Sequence, residues 1–202
     1  MFNTGIATKL RSIRDNILFK ELKYVPTSIE KPRHLIQSKS QAWVGLESIV
    51  KDIIQFSNCQ TNHALEFGVE FGYSSSALSN YFKKVTGVDI FTGDEHAGFH
   101  GDIFELTKSN FKDFPNIELI KSDYRDFIKD NAQQYDLIHV DIVHTYEATY
   151  ECGLWSAQHS TVTIFHDTES YRDVKRAVAA IAKATHKKFY NYKKYNGLGI
   201  VI

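Results

Sequence analysis

Two short stretches gather side chains able to move protons or hold a metal ion: His139-Val140-Asp141-Ile142-Val143-His144-Thr145-Tyr146-Glu147 and Phe165-His166-Asp167-Thr168. Each lies at the end of an apolar run with the length and β-branched content of a buried strand. If those two strands are neighbours, Asp141, His144, His166 and Asp167 converge on one site a few ångströms across. Imidazole beside carboxylate can serve as a general base for a hydroxyl or ligate a divalent cation. His139 falls inside its strand and is expected to be a core histidine whose nitrogens are satisfied.

A third stretch has a different chemistry. Glu66-Phe67-Gly68-Val69-Glu70-Phe71-Gly72-Tyr73-Ser74-Ser75 follows the apolar run His63–Phe67. Gly68 and Gly72 allow a sharp turn and close approach of the backbone to a ligand. A pyrophosphate cradle wants GxGxxG and bare amides. Here the glycines are four apart, and the carboxylates of Glu66 and Glu70 would repel phosphate. They suit a cationic ligand without phosphate, a description that S-adenosylmethionine meets through its ammonium and sulfonium. Ser74 and Ser75 open the following helix on the same ligand. Asp89, with Ile90 after it, ends the next strand, where an acidic residue can accept both hydroxyls of an adenosyl ribose. Ser122-Asp123-Tyr124 ends the strand after that. There Asp123 and Tyr124 would meet an adenine edge, and Asp123 alternatively is a helix N-cap.

The elements that must position these groups alternate along the chain. Strands are expected over 63–67, 85–90, 117–120, 135–140 and 161–165. Helices are expected over 74–82, 102–111, 124–130, 146–158 and 171–184. A closing hairpin, 188–192 and 198–202, turns at Asn196-Gly197. This pattern predicts an α/β, Rossmann-like, doubly wound sheet with its functional loops beyond the strand C-termini. Before it, Trp43, Leu46, Val50, Ile53 and Ile54 recur at helical spacing, with Ser40 able to cap. Residues 1–59 are therefore read as an N-terminal helical extension and 60–202 as the catalytic domain. The extension can cap an acceptor pocket, supply a homodimer contact or pack on the sheet face, with Phe2, Phe19, Tyr24 and Trp43 as apolar anchors.

Composition narrows the class. Of 202 residues 43% are hydrophobic and 24% charged, with 11 Gly and 3 Pro, the profile of a folded globular chain. Lys+Arg and Asp+Glu are both 24, so the chain lacks the net field of a protein that lives on nucleic acid or anionic lipid. Cys59 and Cys152 form no metal-binding spacing and are expected to be reduced and buried. No apolar run approaches a membrane span, and Lys9, Arg11, Arg14, Asp15 and Lys20 interrupt the first residues, so a cytoplasmic location is expected.

Taken together, Glu66-x-Gly68-x-x-x-Gly72-x-Ser74, Val88-Asp89 and Gly93-Asp94-Glu95-His96-Ala97-Gly98-Phe99 resemble class I S-adenosylmethionine-dependent methyltransferases. Within that class the chain is most similar to the branch carrying DGxHTYE and FHDT segments, here Asp141 to Glu147 and Phe165 to Thr168. Trp155 and the terminal Gly197-Leu198-Gly199-Ile200-Val201 also fit, and the likeness covers about residues 60–202. The resemblance implies a seven-stranded sheet with its last strand antiparallel. It also implies methyl transfer from S-adenosylmethionine to a hydroxyl of a sugar or other small molecule, as in polysaccharide biosynthesis. Related metal-dependent O-methyltransferases hold a divalent ion after the fourth and fifth strands, which by position falls on Asp141, His166 and Asp167. Ile142 replaces the usual glycine, and His166 replaces a carboxylate, which favours Mn, Fe or Zn over Mg.

The expected chemistry is in-line displacement at the sulfonium methyl, with His144 as the base and Asp141 as the alternative. The loop 93–102, with Asp94, Glu95, His96, His100 and Asp102, can cover the cofactor or touch the acceptor. Three rivals use the same residues differently: an NAD(P)-linked oxidoreductase, a non-catalytic nucleoside-binding protein, and a metal-dependent hydrolase or lyase.

Overall fold

The apolar runs pair into one sheet because each is too hydrophobic to leave either face in water. The structure, a computed structural model, describes residues 19–37, 43–93 and 100–202. Its strands are β1 (Leu22–Lys23), β2 (His63–Phe67), β3 (Lys84–Asp89), β4 (Ile117–Lys121), β5 (Tyr135–Val140), β6 (Ser160–His166), β7 (Phe189–Tyr192) and β8 (Leu198–Val201). The helices are α1 (Val50–Phe56), α2 (Tyr73–Ser79), α3 (Phe104–Asn110), α4 (Tyr124–Lys129), α5 (Tyr146–Gln158) and α6 (Arg172–Ala184). The sheet order is β1-β7-β8-β6-β5-β2-β3-β4. Every pairing is parallel except those of β8, which runs antiparallel to β6 and β7. The Rossmann-like sheet with an antiparallel last strand is thus present.

One strand was not expected. Leu22 and Lys23 pair in parallel with Tyr190 and Asn191, so among the described residues the sheet has eight strands and part of the N-terminal segment is at its edge. The described residues 20–37 carry no helix and only the two-residue β1, and a 3-10 turn at Leu46–Ile49 leads into α1. Gly45, with φ +106, precedes that turn. Tyr24 donates a hydrogen bond to Asp52 of α1, and Asp52 also accepts from the amides of Thr27 (2.9 Å) and Ser28 (2.8 Å), which fastens this segment to the body. Phe2 and Ser40 lie outside the described residues.

Two apolar layers cover the sheet. Leu46, Ile53, Leu78, Leu137 and Ile164 fill one face under α1 and α2. Leu65, Ile138, Phe165, Val178 and Ile181 fill the other under α4, α5 and α6. Full burial of each such side chain stabilises by about 1.5–3 kcal/mol. Cys59 and Cys152 are free and buried. Among the described residues no helix is long and apolar enough to cross a membrane.

Candidate active site

Beyond the C-terminal ends of β2, β3, β5 and β6 lies a cavity of about 1320 Å³. At one end stands the turn from β2 to α2. Gly68 has φ +83, and a β-carbon there would lie 1.7 Å from the Asp141 carbonyl oxygen. Only glycine lets this turn sit so close to the end of β5. The flanking bonds are Gly68 N–H to the Val88 carbonyl (3.0 Å) and Asp141 N–H to the Phe67 carbonyl (2.8 Å). Asp89 holds the turn from the β3 side. Its Oδ2 accepts from the amides of Val69 (2.7 Å) and Glu70 (2.9 Å), and its Oδ1 from that of Phe91 (2.6 Å). Burial pushes the Asp89 carboxyl up and outweighs the three amides that pull it down.

Most of the expected ligand-binding residues reach this cavity. Gly68, Glu70, Ser74, Asp89, Ile90 and Asp123 contribute to its wall. Tyr124 joins them, its hydroxyl donating to Glu151 at 2.8 Å. Asp123 does cap α4, accepting from the Arg125 amide at 2.8 Å, while still facing the cavity.

Glu66 and Ser75 are placed elsewhere, and Gly72 supports rather than lines. Gly72, with φ +92, precedes α2 and packs against Phe111. Glu66 is fully buried, accepting from the Ser75 hydroxyl and lying 2.7 Å from His139 Nδ1. The indole N–H of Trp43 donates to His139 Nε2 at 3.2 Å. Indole is only a donor, so Nε2 accepts and Nδ1 carries the proton toward Glu66. The Glu66 carboxylate therefore ties α2, β5 and Trp43 together behind the wall instead of facing a ligand. Because both faces of this sheet are covered, alternation along β2 does not distinguish ligand from core. His139 is the satisfied core histidine that its position suggested.

At the other end of the cavity the four proton-handling residues do converge. His144 Nε2 lies 2.9 Å from Asp167 Oδ2 and 3.7 Å from Asp141 Oδ1. His166 Nδ1 lies 3.1 Å from Asp141 Oδ2 and 3.5 Å from Asp167 Oδ2. The His144 ring stacks on Tyr171 with centroids 4.1 Å apart. Burial works against the His144 imidazolium, but Asp141 and Asp167 overcome it and push the pKa up to about 9. For His166 burial again opposes the charge and Asp141 reverses it, giving a raised value. Burial would raise Asp141, yet His166 and His144 hold it well below the usual carboxylate range. The two carboxylates thus favour the protonated form of His144.

The residues fit a divalent cation. One donor atom each from Asp141, His144 and Asp167 lie within 4.8 Å of one another. His166, 2% exposed, faces two carboxylates, yet neither ring nitrogen has an aligned hydrogen-bond partner among the described residues. Two carboxylates with imidazole form a mixed O/N donor set. In this group His144 stands where His166 was expected beside Asp141 and Asp167.

Several wall residues were not singled out for the site. Trp43, counted only as an apolar anchor, and Tyr171, Tyr195 and Asn196 also line the cavity. Asn196 was read solely as a turn residue. Asp94, Glu95 and His96 lie outside the described residues.

A family model described as a methyltransferase domain matches residues 65–168, just over half of the 202-residue chain. The chain is 28% identical over 117 residues to the uncharacterized protein y4gI of Sinorhizobium fredii. That match spans 52% of this chain and only 13% of the length of y4gI. Among solved structures, SMU.1697c of Streptococcus mutans, classed as a methyltransferase and bound to S-adenosylhomocysteine, superposes with TM-score 0.57 and 15% identity, covering 76% of this chain and 96% of that one. The O-methyltransferase of Bacillus cereus in complex with S-adenosylhomocysteine gives TM-score 0.51 and 15% identity, covering 85% and 84%. Fibrillarin of Aeropyrum pernix, with natively bound S-adenosylmethionine, gives 0.54 and 12%, covering 78% and 73%. These likenesses share the fold, and the family match spans the glycine turn, Asp89 and both halves of the acidic cluster. The chain belongs to the methyltransferase domain family.

Proposed function

We propose that this protein is an S-adenosylmethionine-dependent methyltransferase acting on a hydroxyl of a sugar or another small uncharged molecule, with a divalent cation at the Asp141–Asp167 cluster. One observation carries the reading: Asp141 belongs to both ends of the cavity. Its carbonyl packs on Gly68 of the donor-side turn, and its carboxylate faces His144 and His166. A donor seated on that turn and an acceptor seated on the cluster would meet at this residue, as in-line transfer requires.

The charge around the cavity supports the same choice. Glu70, Asp89, Asp123, Asp141 and Asp167 line it. Arg125 is the single Lys or Arg among the described wall residues, and it is occupied 2.9 Å from Glu151. Such a wall suits a cationic methyl donor and a neutral acceptor, and it disfavours the pyrophosphate of NAD(P) and the backbone of nucleic acid.

Within this reading Asp89 and Gly68 fix the turn that receives the donor, Asp123 and Tyr124 face its adenine side, and Trp43 and Tyr171 exclude water around the acceptor. A bound divalent cation supplies a lowered hydroxyl pKa and a fixed acceptor orientation. Asp167 lies 2.9 Å from His144 Nε2 and holds the imidazole toward the cluster. The test is S-adenosylhomocysteine release from S-adenosylmethionine over a panel of neutral glycosides, before and after chelation and with Mn restored. Release that needs a free sugar hydroxyl and falls on chelation supports the proposal. Release that ignores both contradicts it.

A further inference from the structure

Asn191 is fully buried in β7, where its backbone registers with Lys23 of β1 and Gly199 of β8. A mid-strand asparagine is a poor choice for sheet stability. Its side chain nevertheless makes three bonds. Oδ1 accepts from the Thr168 hydroxyl at 2.7 Å, and Nδ2 donates to Glu169 Oε1 at 2.8 Å and to Glu21 Oε2 at 3.2 Å. Lys175, 5% exposed, completes the group at 2.6 Å from Glu169 and 2.9 Å from Glu21.

This group grips the chain immediately after Asp167, a non-glycine residue with φ +63. The backbone is held from the other side as well. The amides of Glu169 (2.8 Å) and Ser170 (3.2 Å) donate to the Asn196 carbonyl, and Gly197 packs so closely that a β-carbon there would lie 2.5 Å from the Glu169 nitrogen. Buried ion clusters of this kind are often replaceable by apolar residues without loss of stability. What apolar residues would not supply is direction. The two ends of the Asn191 amide bond successive residues and so define the path of the chain as it leaves Asp167. A left-handed Asp at a site persists only where its surroundings over-determine it.

We infer that Asn191 is a positioning residue: acting through Thr168 and Glu169, it sets the Asp167 backbone that aims the carboxylate at His144. The inference rests on the proposed function only in its metal readout.

The test uses the full chain with Asn191→Ala, Thr168→Val, which removes the hydroxyl at nearly constant shape, and Thr168→Ser, which keeps it. The readouts are hydrogen exchange at the Glu169 and Ser170 amides without metal, Mn binding followed by electron paramagnetic resonance, and S-adenosylhomocysteine affinity. Asn191→Ala and Thr168→Val are expected to speed exchange at those two amides by about tenfold or more while β2 and β3 stay as protected as before. Mn affinity should fall by about 10–100-fold, the usual cost of losing a ligand's supporting partner. S-adenosylhomocysteine affinity should hold, and Thr168→Ser should behave as the parent. Unchanged exchange in Thr168→Val, or acceleration spread evenly over the sheet, overturns the inference. Should Asn191→Ala fail to fold, Thr168→Val decides. If the parent protein takes up no Mn, the metal part of the proposed function fails, and the exchange result still decides the role of Asn191.

Discussion

Replacing Gly68 with alanine should damage both ends of the cavity at once. The added β-carbon would lie 1.7 Å from the Asp141 carbonyl oxygen, and real contacts of this kind do not go below 3.0 Å, so the turn and the end of β5 must part by about 1.3 Å. An L-residue at φ +83 adds about 1–2 kcal/mol of backbone strain. Forcing apart packed backbone adds about 1–3 kcal/mol. The sum, about 2–5 kcal/mol, corresponds to a melting point lower by about 5–15 °C for a chain of this length. Misplacement by about 1 Å can cost about a hundredfold in rate, so Asp141 need not be touched to be disabled. The assay is thermal melting with calorimetric titration of S-adenosylhomocysteine, whose affinity should drop about tenfold or more. Gly101→Ala separates strain from collision: Gly101 has φ +116 but nothing within 4 Å among the described residues. It should lower the melting point by the backbone strain alone, about 2–8 °C, and leave binding intact. A Gly68→Ala protein that melts within about 2 °C of the parent and binds S-adenosylhomocysteine equally well would refute the reasoning.

Other perturbations separate the roles. Asp89→Ala leaves three backbone amides, those of Val69, Glu70 and Phe91, without their acceptor, so cofactor affinity and stability should both fall, at about 1–3 kcal/mol for each amide that water cannot reach. Glu66→Gln turns an amide toward one of two donors, Ser75 or His139, and should lower the melting point while S-adenosylhomocysteine affinity changes less than in Asp89→Ala. His144→Ala should reduce turnover far more than cofactor affinity; unchanged turnover would reject a role for it in the reaction. The metal-free protein should lose stability with rising pH. The folded value of His144, about 9, exceeds its ordinary 6.5, so its contribution is complete below about pH 6.5 and is lost as pH rises through 9. The upper bound is on the order of 3 kcal/mol, since His144 titrates together with its carboxylate neighbours. A melting point flat from pH 6.5 to 9.5 in the parent, or an equal decline in His144→Gln, would count against that assignment.

Much of this was legible because the chemistry sits at strand ends. The runs His63–Phe67 and Tyr135–Val140 and the helix Tyr146–Gln158 are bounded as the pattern implied, and their topology brings Asp141, His144, His166 and Asp167 together. What could not be read depends on contacts far apart in the chain. The inward turn of Glu66 is set by His139 and Trp43, and the two-residue β1 exists only because β7 offers it an edge. Asn191 carries no motif, yet it reaches from Glu21 to Thr168. The elevated pKa of His144 arises from Asp141, three residues before it, together with Asp167, which the sequence places at the end of another strand.

The most direct measurement is thermal unfolding with saturating S-adenosylhomocysteine, run beside NADH. A ligand at about a hundredfold over its Kd stabilises by about 2.7 kcal/mol, which for this chain is a shift on the order of 5–10 °C. The account predicts that shift with S-adenosylhomocysteine and none with NADH. A protein that responds to NADH alone, or to neither, would contradict a methyl-donor site at the Gly68 turn.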